Sequence, residues 1–261
     1  MTRASRSDVA SSFTMVKGAL IEESYSFLAD WESSRTKDEN IRHWKDRNPV
    51  GLRTETWLRD VAFVMSRRFD PDGRDQPLRE LAKSRCDLEE WKPILLWHIT
   101  RDEFVLRDFL EDWLFDIYEA GVFRVRAEDL YEHLRSLPSR GGVLQKPWSE
   151  TTVDRVAHAL LVMAKDFGFL RGGAVKEFTS YHLPERSFLY LLHAIRDEQM
   201  SPRKVVGAPD WRMFLMRPAD VEHELLRLHQ FHKIEYHVAG SLVQLSLPCT
   251  NSREYAERMV A

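Results

Sequence analysis

The side chains with the clearest capacity for chemistry lie on one predicted helix, residues 149–167. Ser149 is a good N-cap because its hydroxyl can accept a hydrogen bond from the first turn. The apolar residues recur at helical spacing and form one stripe that must pack inward: Val153, Val156, Ala157, Leu160, Leu161, Ala164 and Phe167. Thr151, Arg155 and His158 lie on the opposite face and could contact base edges or phosphates. An ordinary solvated face explains the same pattern.

Further basic residues flank this helix in the sequence. Arg171 and Lys176 stand on either side of a Gly172-Gly173 pair, where a hairpin tip could bring them to a neighbouring phosphate track. Arg140 and Lys146 lie in the loop before the helix, which is rich in Pro and Gly. We predict all four as DNA contacts.

The elements around the helix occur in an order that would position it. Residues 122–125 form a β-like run, 127–137 a helix, and 149–167 the helix described above. The Gly-Gly pair separates two extended segments, of which 175–183 alternates between two faces. Strand, helix, helix and hairpin are the order of a winged helix-turn-helix. The sequence therefore predicts such a unit over 121–183.

The preceding residues, 13–120, predict a helical bundle. Apolar residues recur at helical spacing, with breaks at 48–51, 70–73 and 120–121, where Gly and Pro supply turns or end helices. The segment 101–120 has large apolar groups around much of its circumference, which predicts a central helix covered on several sides.

This bundle also carries a second basic surface. Between Arg35 and Arg74 there are ten basic and seven acidic side chains. Arg53 and Arg59 are its candidate DNA contacts, because a helix, a Gly-containing turn and a helix are compatible with another helix-turn-helix. Interleaved acidic residues mean that solubilising salt bridges explain the pattern almost as well. The basic residues of this surface are Arg42, Lys45, Arg47, Arg53, Arg59, Arg67 and Arg68.

Residues 184–261 repeat the winged pattern more weakly. Helices are predicted over 184–199, 209–216 and 218–231, and two alternating strands joined through residues 239–241 follow them. Acidic residues crowd the first turns of the third helix and would repel phosphate. This unit is therefore predicted to be structural or to contact protein.

No motif in the chain predicts catalysis, a cofactor or a metal. His223, His229, His232 and His237 lie close in sequence, but no cysteine or carboxylate spacing completes a known ligand set. Arg227 occupies the position where the helical zinc-protease signature needs its second histidine. Phosphate-binding Gly-rich loops and nucleophile elbows are also missing from the sequence.

The bulk composition is that of a globular protein. The chain has 261 residues, 43% hydrophobic and 30% charged, with a formal net charge of −3 and two cysteines. No apolar stretch approaches the ~20 residues of a membrane span, and the first residues lack a secretory signal, which leaves the cytoplasm as the expected compartment. We expect a monomer with a flexible N-terminus over 1–12, a bundle over 13–120, and the two later units.

Several segments of the chain resemble the BrxA proteins of BREX phage-exclusion systems. The likeness extends from about Phe13 to Leu247, and it consists of apolar and turn patterns rather than catalytic signatures. The segments are 13–24, which includes Gly18-Ala19-Leu20-Ile21, then 57–69, Leu106-Arg107-Asp108-Phe109-Leu110, 211–215 and 238–240.

The resemblance implies a mainly α-helical component of a defence island, with helix-turn-helix elements and a DNA-binding role. We expect a non-enzymatic accessory factor that binds double-stranded DNA and contacts other BREX defence subunits, while methylation and nucleotide hydrolysis lie in other proteins. The alternative is a protein-protein scaffold of the same complex with no direct DNA contact. The acidic net charge favours that alternative.

Overall fold

A computed structural model describes residues 6–199, 201–240 and 242–259. Helices dominate these residues, and the strands form two small antiparallel sheets. The predicted fold class, mainly α with short β-hairpins, is confirmed. Buried apolar side chains from both halves belong to one continuous core. Over the same three ranges, no helix is long and apolar enough to cross a membrane.

The first half is a helical bundle, and local side chains define where its helices begin. Thr36 and Glu39 form a reciprocal capping box, in which each side chain accepts from the other residue's amide. Asn48 and Gly51 adopt left-handed backbone conformations at one of the predicted breaks. The helices are α1 (Ser12–Met15), α2 (Ile21–Ala29), α3 (Lys37–Arg47), α4 (Glu55–Arg68), α5 (Gln76–Lys83) and α6 (Leu88–Thr100).

A long helical segment then joins the two halves. It runs from α7 (Phe104–Asp108) through a π-helical turn (Phe109–Leu114) into α8 (Phe115–Glu119). The predicted central helix is therefore present, with a wider turn that periodicity did not reveal. Within this turn, burial and the nearby Asp210 carboxylate raise the pKa of Glu111 to about 7.

Residues 121–183 contain the predicted order of strand, helix, helix and hairpin. The first helix is shorter than predicted, because 3₁₀ turns (Ala127–Leu130 and Leu137–Arg140) occupy both of its ends. The strands form one antiparallel sheet in the order β1-β3-β2. The elements are β1 (Arg124–Val125), α9 (Tyr131–Arg135), α10 (Glu150–Asp166), β2 (Leu170–Gly172) and β3 (Lys176–Phe178).

The last part of the chain forms the predicted helices and hairpin, together with two helices that were not predicted, α12 and α14. Ser241, in the predicted hairpin turn, lies outside the described residues. Of the two additional helices, α14 packs against α5 of the first half and buries Tyr255 and Ala256. The elements are α11 (Glu185–Glu198), α12 (Pro202–Val206), a 3₁₀ turn (Pro209–Phe214), α13 (Pro218–Gln230), β4 (Glu235–Ala239), β5 (Leu242–Ser246) and α14 (Ser252–Met259).

The N-terminal segment is held against the body over the part that the structure describes. A flexible N-terminus is predicted for 1–12, of which 1–5 lie outside the described residues. In the remainder, the Ala10 amide donates to the Val143 carbonyl at 2.9 Å, and the Val143 amide donates to the Asp8 carbonyl at 2.8 Å. This pairing fixes the segment beside the loop that precedes α10.

Candidate nucleic-acid interface

The helix α10 has the two faces that its sequence predicts. The Ser149 hydroxyl accepts a hydrogen bond from the Thr152 amide at 3.3 Å and so caps the helix. The whole predicted apolar stripe is buried in the core. Thr151, Arg155 and His158 are exposed on the opposite face. We call these three residues the α10 ridge.

Two side chains of the ridge are available to a ligand in different ways. Among the described residues, Arg155 has no ion-pair or hydrogen-bond partner. His158 Nδ1 lies 2.9 Å from the Asp154 carbonyl oxygen. Because that oxygen can only accept, Nδ1 carries the proton, and Nε2 of the neutral ring is an acceptor. His158 can therefore donate to a phosphate through Nε2 only when the ring is protonated. The predicted phosphate contact of His158 is limited to that form of the ring.

The hairpin that follows α10 has one exposed arginine near its tip. We call β2, β3 and the residues between them the wing. Gly172 adopts φ +106°, and a Cβ there would lie 2.6 Å from the Val175 carbonyl oxygen, so this turn requires glycine. Arg171 is exposed as predicted, 3.6 Å from the Glu177 carboxylate. Glu177 also pairs with Arg124 of β1 at 3.0 Å, so its carboxylate is shared by two arginines and only partly offsets the charge of Arg171.

Lys176 is not an exposed residue of the wing, contrary to the prediction. Only 7% of this residue is accessible to solvent, and its ammonium donates to the Gly173 carbonyl within the same turn. Burial lowers the pKa of Lys176. The side chain shares a face with Phe178, which packs against the core. Lys176 therefore stabilises the hairpin and is not oriented toward a ligand.

Arg140 also has an internal role where a DNA contact was predicted. Its Nε donates to Asp108 Oδ1 at 2.7 Å and its Nη2 to Asp108 Oδ2 at 3.0 Å, a bidentate pair. His133 Nε2 lies 2.6 Å from the same carboxylate. These contacts fasten the loop before α10 to α7. Arg140 also donates from Nη1 to the Ser136 hydroxyl at 2.6 Å and from Nη2 to the His133 carbonyl at 2.7 Å, so most of its donors are used internally and it is removed from the candidate interface.

The predicted basic surface of the first half is divided between exposed and buried residues. Arg53 is exposed, and the Arg59 side chain is 70% exposed. Arg68 is fully buried, which corrects its inclusion in that surface. Its Nε donates to Glu103 at 3.2 Å, and its other nitrogens donate to backbone carbonyls. Arg68 therefore anchors α4 to the start of α7.

Arg59 and Lys146, predicted from separate halves of the chain, line the same cleft. The cleft has a volume of about 750 Å³ and lies between residues 9–13, the exposed face of α4 and residues 145–149. Its lining also includes aromatic rings from all three segments. No local pattern in the sequence indicates this site, because no single segment contains more than a part of it.

The histidines near the C-terminus do not assemble into a metal centre within the described residues. His229 and His237 approach each other, with ring centroids 4.9 Å apart. In the described part of the chain, no group of three or more His, Cys, Asp or Glu side chains is arranged to hold a metal ion.

Comparison with known proteins identifies the family. The family model for BrxA matches residues 11–194, so the chain belongs to the BrxA family. This membership makes it a component of a BREX phage-defence system. No curated protein matches the chain. A solved structure, an uncharacterized protein from Magnetospirillum magneticum, shares the fold with a TM-score of 0.57 and 14% sequence identity, over 79% of this chain and 99% of that one.

Proposed function

We propose that residues 121–183 act as a winged helix-turn-helix that docks duplex DNA through the α10 ridge. The observation that carries this proposal is that Arg155, in the first half of α10, is exposed and has no partner in the described part of the chain, with Thr151 and His158 beside it. In such units the N-terminal turns of the second helix lie in the major groove. Arg171 on the wing then faces a neighbouring phosphate.

Within its defence system the protein acts in the cytoplasm as a non-enzymatic accessory factor. The DNA contact is local, because the whole chain has a formal net charge of −3. Attraction between the protein as a whole and DNA is therefore weak, and binding depends on the few cations at the interface. The affinity should accordingly be modest and fall steeply as salt is raised.

The test is fluorescence anisotropy of a labelled duplex with Arg155→Ala across a salt series. Loss of one phosphate contact lowers the slope of log K against log salt by about 0.9, and loss of a guanine contact costs about 1–3 kcal/mol. Arg258→Ala is the matched control, since Arg258 is exposed on α14 and, among the described residues, also has no ion-pair partner. Unchanged affinity and slope for Arg155→Ala would rule out the ridge as the docking surface.

A scaffold role is the second candidate, in which this face contacts another BREX subunit. Val162 continues the line of the α10 ridge and is 44% exposed, and Phe123 beside β1 is 57% exposed. Contiguous exposed apolar patches mark protein contacts, so the scaffold role requires both side chains to belong to one interface. Co-purification with another subunit that Phe123→Ala abolishes, together with no duplex binding at low salt, would favour the scaffold.

A further inference from the structure

The cleft next to α10 combines aromatic rings with cations. Phe13 is 40% exposed and Phe63 is 50% exposed, and their ring centroids lie 5.6 Å apart in an edge-to-face arrangement. Trp148 adds a third, partly buried ring from the loop before α10. The other apolar groups of the lining are small: Val9, Ala10 and Pro147. The cleft therefore offers ring surfaces and no deep aliphatic pocket.

The charge of the cleft is positive. Within the described residues, Arg67 and Lys146 have no ion-pair partner, and both are exposed. The single carboxylate of the lining, Asp60, lies 3.9 Å from Arg59 but only 2.7 Å from Lys17. Lys17 largely balances this carboxylate, which leaves the three cations of the lining to attract an anionic ligand.

We propose that this cleft binds unpaired nucleotides of a nucleic-acid strand. Sites for single strands combine cations that follow the phosphates with aromatic rings on which bases stack. Here Arg59, Arg67 and Lys146 take the phosphates, and Phe63 takes a base. Phe13 supports the Phe63 ring from the side and is itself covered by Lys17. An acidic peptide could pair with the cations, but its carboxylates do not stack on aromatic rings as bases do. The aromatic lining therefore favours a nucleic-acid strand over an acidic peptide.

The position of the cleft adds to this assignment. Ser149 and Thr152, at the start of α10, form part of its lining, and Thr151 of the α10 ridge is their neighbour. A strand that leaves a duplex docked on the ridge would reach the cleft directly. The cleft nevertheless has its own ligand groups, so the proposal for the cleft does not depend on duplex binding by the ridge.

Anisotropy with labelled 12-nucleotide dT and U oligomers, on the full chain at low salt, tests the proposal. Phe63→Ala should weaken oligomer binding roughly 5- to 150-fold, which corresponds to the ~1–3 kcal/mol of one stacked base. Phe231→Ala is the control, since Phe231 is 62% exposed outside the cleft. Lys146→Ala should lower the salt slope by about 0.7, while the exposed Lys204→Ala should not.

The oligomers and variants separate the possible outcomes. A dU oligomer, which differs from U only at the sugar, is added as a third ligand, and a preference between dU and U identifies DNA or RNA as the source of the strand. Arg155→Ala should weaken duplex binding only, and Phe63→Ala oligomer binding only, so failure of one site is distinguishable from failure of the other. Oligomer binding that is absent, or equal in Phe63→Ala and Phe231→Ala, would overturn the proposal. The proposal would also be overturned if a 12-residue poly-glutamate peptide bound in a Phe63-dependent way and the oligomers did not. Thermal melts confirm that each variant folds.

Discussion

The buried pair of Arg68 and Glu103 provides a quantitative test of how the first half is held together. The side chains are 0% and 5% exposed, respectively. Arg68 also donates to the carbonyls of Thr14, Gly18 and Ala19, at 3.3, 3.0 and 3.1 Å. One guanidinium thus connects α4, the turn after α1 and the residue that precedes α7.

We expect Arg68→Met to destabilise the protein by about 3–5 kcal/mol, because it leaves the Glu103 charge buried without its partner. The remaining donor to Glu103 would be the Thr14 hydroxyl, at 2.7 Å from Oε2. For a chain of this size that loss corresponds to a fall in Tm of roughly 6–20 °C. Burial outweighs the attraction of Glu103 and lowers the pKa of Arg68, so the charge itself is costly here.

The double variant Arg68→Met with Glu103→Gln should therefore recover part of the loss, since no isolated charge remains. Urea unfolding followed by circular dichroism gives the free energy of unfolding of the original protein, of Arg68→Met and of the double variant. Arg67→Met is the matched control: Arg67 is the exposed neighbour of Arg68, and its replacement should change stability by less than about 0.5 kcal/mol. A loss of unfolding free energy below ~1 kcal/mol in Arg68→Met would refute the reasoning. So would a double variant that is less stable than Arg68→Met alone.

Two further predictions concern the wing and the central helix. Gly172→Ala should cost about 1–3 kcal/mol locally and raise amide exchange in β2 and β3, because φ +106° and the Val175 carbonyl both oppose a side chain; unchanged exchange would contradict this. Glu111 has a pKa of about 7 in the fold against 4.5 when exposed, so its stabilising contribution is full below pH 4.5 and is lost as pH rises through 7. Glu111→Gln should thus raise the free energy of unfolding by about 1–3 kcal/mol at pH 8 and by much less near pH 5. An equal effect at both values would count against a buried, neutral Glu111.

The sequence was sufficient to predict α10 because two local signals agree there. An apolar stripe at helical spacing fixes which face is buried, and Ser149 fixes where the helix starts. The exposure of Thr151, Arg155 and His158 follows from that geometry alone. The hairpin could also be predicted from local sequence, because the Gly172-Gly173 step permits the turn.

The misplaced residues depend on contacts with distant parts of the chain. Arg140 was assigned to the interface because nothing nearby in sequence reveals its carboxylate partner, Asp108. Arg68 was assigned to a surface although it pairs with Glu103, which lies in another helical segment. Lys176 is different: the alternation of its strand already places it on the face of Phe178, and the period of two was sufficient to predict its burial.

The cleft could not have been predicted from local patterns. Phe13, Phe63 and Trp148 each look like ordinary core residues within their own segments. The pairing of the N-terminal segment with Val143, the packing of α1 against α10 and the contact between Phe13 and Phe63 of α4 bring them to one place. Its functional signal is the partial exposure of large rings, which is a property of the tertiary structure.

The packing of α14 against α5 has a consequence for how the protein is made. Of the described elements, α14 is the last to leave the ribosome, yet it covers a helix that was among the earliest to emerge. Part of the apolar surface of the first half must therefore stay open to water until α14 has also emerged. We expect the nascent chain to expose that surface to chaperones during the interval, so its cellular yield should depend on them.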